Sequence, residues 1–156
     1  MHKGKKAYRR VIRGVFLLGF FLLLFPATAF VQGGKGVEAL IIELQDENPV
    51  VRWQAAEQLG RVKDARAVNP LIEALGDGDE GVRREVIKAL GEIGSPRAVE
   101  SLGRMLEDPD ELVRLNTLEA LEKIEGDEAI TLLITALKND NSLVRMNAAA
   151  SLGRIG

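Results

Sequence analysis

From Val37 onward the apolar residues follow a pattern that repeats every 31 positions without a gap. The units start at Val37, Val68, Val99 and Ile130, and the last stops four residues short. Within a unit, apolar residues at the first, fourth and eighth positions (Val37, Leu40, Leu44 and their counterparts) have the 3-to-4 spacing of a short helix. A second set at positions 15, 19, 20, 23 and 26, such as Val82, Val86, Ile87, Leu90 and Ile93, predicts a longer helix with one apolar stripe. An acidic turn separates them. Position 12 is Asn48, Asp79, Asp110 or Asn141, each a good helix N-cap, and Pro49 suits the first turn that follows. Ser95 with Pro96 marks the start of the third short helix, and Asp127 is read as the cap of the fourth. The predicted fold is all-α, about four helical hairpins in series.

A fixed period of this length means a solenoid, because no unit can bury its apolar face alone and each must use its neighbours. The turn Asp, the Val-Arg early in the second helix and the Ala-Leu-Gly-x-Ile-Gly ending resemble HEAT repeats of the short, phycobilisome-lyase type, over residues 37–156. The period is shorter than the usual HEAT spacing of roughly 40 residues. Glu122 stands where other units have Gly60, Gly91 and Gly153, and Asn139 where they have Asp46, Asp77 and Asp108. The resemblance implies a right-handed α-solenoid. It also implies a structural ladder in which Arg52, Arg83, Arg114 and Arg145 lie between layers and bond to the turn Asp46, Asp77, Asp108 and to free carbonyls, a task that suits the planar guanidinium fork.

On a helical wheel the second helices turn one face away from the core. Val50, Trp53, Glu57, Arg84, Lys88, Leu112, Leu115, Glu119, Leu143 and Met146 fall on it, and apolar side chains of that size are out of place on a bare surface. In HEAT-like stacks the second helices line the concave side, so the resemblance places these ten residues in a partner-binding groove, with Trp53 as anchor. Trp53 is equally suited to covering the open N-terminal end of the stack.

The chain before the repeats has a different character. Residues 1–29 hold six Lys or Arg and no acid, then an eleven-residue apolar run, Val15 to Phe25, and then Pro26-Ala27-Thr28-Ala29 with A-x-A spacing. This is the form of a secretory signal peptide. An uncleaved anchor is the alternative, since the apolar stretch extends to about 17 residues, the lower limit for spanning. Both place the repeats outside the cytoplasm, periplasmic or extracellular, with the N-terminus in the cytoplasm. Residues 30–36 are then a short linker and 37–156 the repeat domain.

The overall charge of minus 2 hides this division. Residues 30–156 keep 15 of the 21 basic side chains against all 23 acidic ones, a net minus 8. That excludes the basic footprint that nucleic acid requires. There is no Cys, and the single His is at position 2. The repeats therefore lack imidazole and thiol catalysis and the common ligands of zinc, haem and iron–sulfur clusters. The acidic turns lack the twelve-residue spacing of a calcium loop. The expectation is a non-enzymatic scaffold with no cofactor, binding a protein or peptide and touching a membrane only through its N-terminal segment. The alternatives are a lyase-like, chromophore-handling enzyme, by resemblance, and a membrane-tethered subunit of a larger complex.

Overall fold

A short helix, a turn and a longer helix recur four times in the computed structural model, which describes residues 35–156. The segment read above as a signal peptide or anchor lies outside the described residues. The hairpins pair α1 (Val37–Glu43) with α2 (Pro49–Val62), α3 (Val68–Ala74) with α4 (Glu80–Ile93), α5 (Val99–Met105) with α6 (Glu111–Ile124), and α7 (Asp127–Ala136) with α8 (Ser142–Ile155). All regular structure among the described residues is helical. The fold is an α-solenoid in which α2, α4, α6 and α8 pack in succession.

Each long helix begins where its cap residue stops the backbone from entering the helix early. The side chains of Asn48, Asp79, Asp110 and Asn141 accept hydrogen bonds from the backbone N–H groups of Val50, Val82, Val113 and Leu143 at 2.9–3.0 Å. Pro49 follows as the first residue of α2. Each cap satisfies an orphan donor that would otherwise cost about 1 kcal/mol.

The core is a column of leucines. Leu40, Leu71, Leu102 and Leu133 from the short helices and Leu59, Leu90 and Leu121 from the long ones are fully buried, each contributing about 1.5–3 kcal/mol by leaving water. Thr117 occupies a core position of α6 because its hydroxyl donates to the Val113 carbonyl at 2.8 Å, leaving no unpaired polar group.

Two expected caps are corrected. Ser95 makes no side-chain cap and introduces a 3-10 turn, Pro96–Ala98, that leads into α5. Asp127 does not cap α7 but is its first residue, behind an uncapped Gly126. The first two junctions turn through one left-handed residue, Lys63 or Gly94, before a 3-10 turn. The third has positive φ at both Glu125 and Gly126. The chain reverses sooner there, and α7 starts three residues before Ile130. In this last unit Ile130 is only half-buried and Leu137 is exposed, although the equivalent residues of the other units are buried.

Candidate partner-binding face

The repeated spacing of the arginines has a direct geometric outcome between layers. Arg52 donates from Nε and Nη2 to both carboxylate oxygens of Asp77, at 2.6 and 2.8 Å, and from Nη1 to the carbonyls of Asp46 and Glu47. Arg83 does the same to Asp108 at 2.9 and 3.1 Å, and to the Asp77 carbonyl. Each arginine thus ties its own turn to the carboxylate of the next layer. Burial pushes the Asp77 carboxyl upward, but the hydrogen bonds from Arg52 and the Asp79 backbone outweigh it and hold the carboxyl below its usual range. The hydrogen bond to Asp77 raises Arg52 in turn.

The third rung is incomplete. Arg114 donates from Nη1 to the carbonyls of Asp108 and Pro109. Asn139 stands where the carboxylate should be, and it donates to Glu107 at 3.2 Å instead. Arg114 Nε is the one buried side-chain nitrogen or oxygen among the described residues with no partner. At the ends of the array, Asp46 receives no arginine from the described residues, and Arg145 donates only to its own turn, at Asn139 and Asp140.

Aligning the long helices at 31-residue steps lays out their free face as rows. One row is Val50, Gly81, Leu112 and Leu143; the next is Trp53, Arg84, Leu115 and Met146. Val50, Leu112 and Met146 are well exposed, Trp53 is 37% exposed, and Arg84, Leu115 and Leu143 are half-buried. Arg84 interrupts the apolar row, lying 3.8 Å from the Asp110 carboxylate. A groove on this side lies nearer the C-terminal ends of these helices. It measures about 560 Å³, runs across α2, α4 and α6, and of the ten residues chosen from the sequence it includes Glu57, Lys88 and Glu119.

Charges that the sequence pattern did not single out line the rest of that groove. Glu92 bridges Lys63 of the preceding layer at 2.9 Å and Lys123 of the following one at 2.6 Å. The hydrogen bond from Lys123, then that from Lys63, brings the Glu92 carboxyl down to about 2. The available signal was the row Arg61, Glu92, Lys123, Arg154, in which the sign of charge changes and returns.

A second missed feature is a close approach of the long helices. A Cβ at Gly60 would lie 2.9 Å from Ala89 Cα, and one at Gly91 would lie 2.9 Å from Ala120 Cα. Gly facing Ala at this register lets successive helices touch backbone to backbone. Glu122 cannot do so against α8, and pairs bidentately with Arg154 at 2.6 and 2.7 Å instead.

A family model of HEAT repeats matches residues 37–122 and 102–156. No curated protein is similar to the chain. Among solved structures, the chain is similar to the complex of CpcE and CpcF of phycocyanin lyase from a Nostoc species, at 30% identity and a TM-score of 0.64 over 84% of this chain and 57% of that one. It is also similar to an engineered protein, at 26% identity and a TM-score of 0.62 over 78% of this chain and 63% of that one. A designed armadillo repeat protein in complex with the peptide (KR)4 has the same fold, at 22% identity and a TM-score of 0.59 over 77% of this chain and 64% of that one. The chain spans less than two thirds of each of these structures.

Proposed function

Because the chain belongs to the HEAT-repeat family, we propose that it is a binding module which holds a protein or peptide partner along the free face of its long helices. The observation that carries this reading is the pairing of two unlike strips on one face: an apolar strip of Val50, Trp53, Leu112 and Met146 beside a charged groove of about 560 Å³. Apolar anchors beside a polar rim are how protein interfaces divide affinity from specificity. The face is repetitive, so an extended partner meets similar chemistry in each layer, with Arg84 and Lys88 replacing apolar or acidic neighbours to set its register.

The apolar strip is tested directly. Co-purification of partners from the cell envelope should fall at least tenfold with Trp53→Ala plus Leu115→Ala, as loss of two interface anchors implies. Equal recovery by wild type and variant removes this face from consideration.

The N-terminal pattern supports export, with the solenoid outside the cytoplasm. Mass spectrometry of the mature chain distinguishes its two forms: a start at Phe30 means a free scaffold, whereas a retained apolar segment means a tethered subunit.

The likeness to the CpcE–CpcF complex favours a second reading, a lyase-like role in handling a chromophore. A shifted absorbance band on mixing the protein with a free linear tetrapyrrole supports it. An unchanged spectrum leaves the scaffold reading in place.

A further inference from the structure

Resting on the partner-binding reading above, we propose that the apolar strip of the long helices takes a cationic amphipathic segment of a partner protein, in which lysine or arginine brackets apolar side chains. The case is made on α6, an interior helix with α4 packed on one side and α8 on the other. Leu112 is 48% exposed there and Leu115 is half-buried. Both neighbouring layers are in place, so this apolar surface does not come from an end of the array. At 100° per residue, Glu111, Leu112, Leu115 and Glu119 fall within about 100° of one another and share one face. Glu111 and Glu119 therefore bracket the two leucines, about 12 Å apart along the helix axis.

The pairing of charges on this face gives the sign of the occupant. Each base beside the strip already faces an acid. Arg61 faces Glu57 at 2.6 Å, Lys63 and Lys123 share Glu92, and Lys88 faces Glu85 at 3.3 Å. Arg84 lies between Asp110 at 3.8 Å and Glu80 at 4.0 Å. Glu111 and Glu119, by contrast, are exposed and pair with no base among the described residues. Arg154 feels the charge of Glu119 but spends its fork on Glu122.

The imbalance also holds over the whole strip. Residues 46–57, 77–88 and 108–119, the turns and first halves of α2, α4 and α6, carry eleven acids against five bases, a net minus 6. A partner that covers Leu112 and Leu115 also strips water from Glu111 and Glu119. Without a cation of its own it leaves two carboxylates desolvated and unpaired, which is costly. A basic segment meets both carboxylates and is drawn in from within a Debye length. Opposite α4, where Arg84 and Lys88 lie, that segment carries no base.

The test titrates the chain with two synthetic peptides of identical leucine positions, (Lys-Leu-Leu-Lys)3 and (Glu-Leu-Leu-Glu)3. The readout is the emission of Trp53, the single tryptophan, which lies in the row of Leu115. The lysine peptide should move this emission to shorter wavelength and bind at least about tenfold tighter than the glutamate peptide. Salt at about 0.5 M should remove most of that difference. Glu111→Gln plus Glu119→Gln should weaken the lysine peptide about three- to tenfold and leave the helical circular dichroism unchanged. Glu73→Gln plus Glu100→Gln, which alter exposed acids of the short helices, should leave its binding as it was. Equal losses from the two double variants trace the attraction to net charge alone and overturn the proposal. A glutamate peptide that binds as tightly as the lysine one, and is lost with Leu112→Ala plus Leu115→Ala, overturns the choice of charge but leaves the partner-binding face standing. An emission that neither peptide moves overturns both, including one already at short wavelength because a second copy or the chain's own N-terminal residues cover the strip.

Discussion

At the scale of single residues, one substitution marks the weakest rung. Asn139 has nearly the shape of the Asp it replaces but presents a donor NH2 where the carboxylate has its second acceptor oxygen, so it cannot receive a bidentate guanidinium and Arg114 Nε is buried without a partner. Leaving such a donor unmet costs about 1–3 kcal/mol. Asn139→Asp should recover a good part of this and raise the urea midpoint with an unchanged slope. Asp77→Asn, which breaks an intact rung, should lower it by a similar amount. An Asn139→Asp protein no more stable than wild type would show that water already serves Arg114. The departure itself was visible in the sequence, since Asn139 breaks a column of aspartates. Its consequence was not visible, because only the structure shows that Arg52 and Arg83 each reach 25 residues forward to the carboxylate of the next layer while also holding carbonyls of their own turn.

The groove network also titrates at this scale. The Glu92 carboxyl falls from 4.5 to about 2 in the folded chain, held first by Lys123 and then by Lys63. A carboxyl depressed by folding stabilises the fold at pH values above its unfolded pKa, and that contribution is lost as pH falls through the folded value. Stability should therefore decline between about pH 4.5 and about pH 2. Glu92→Gln should be less stable than wild type at neutral pH and converge with it in acid. Parallel pH profiles for the two proteins, followed by urea midpoint, would sink this assignment.

At the scale of elements, helix starts could be read from the chain because a cap acts within three residues of itself. All four long helices begin behind the Asn or Asp that the pattern indicated. The third junction could not be read the same way. Its course depends on positive φ at Glu125 followed by Gly126, and an Asp one residue later resembles a cap whether it precedes the helix or opens it. Helix-to-helix spacing was equally hidden: the glycines were visible, but not the alanines of the next unit that they receive. Gly91→Ala forces a methyl to within 3.0 Å of both Ala120 Cα and Cβ and should cost about 1–3 kcal/mol by overpacking. Gly153→Ala, on the same helical turn of α8 but facing open space, should instead stabilise by up to about 1 kcal/mol through helix propensity. Thermal unfolding of the two variants checks the contrast, and equal effects at both sites would contradict the backbone contact.

At the scale of the whole molecule, the departures from the repeat fall on one interface. Between the third and fourth layers Asn139 replaces the Asp of the ladder, Glu122 replaces the Gly of close approach, and Glu128 replaces an arginine. Arg66 and Arg97, its counterparts, tie back to Glu38 and Asn69, whereas Glu128 borders the same surface cavity as the like-charged Glu100. A solenoid is stable only as far as each layer interface holds, so its stability is a sum of neighbour terms that need not be equal. With three terms weakened at one place, the fourth hairpin should open before the rest. Amide hydrogen exchange should show α7 and α8 losing protection ahead of α2 and α4, at a lower opening free energy than global unfolding. Asn139→Asp combined with Glu128→Arg should narrow the gap by strengthening that interface alone. Protection that is uniform along the stack, or lowest in α1 and α2, would mean that the bidentate Arg154–Glu122 pair compensates for the missing contacts. Arg154→Ala, which removes this pair, would then bring out the weakness that the other three positions create.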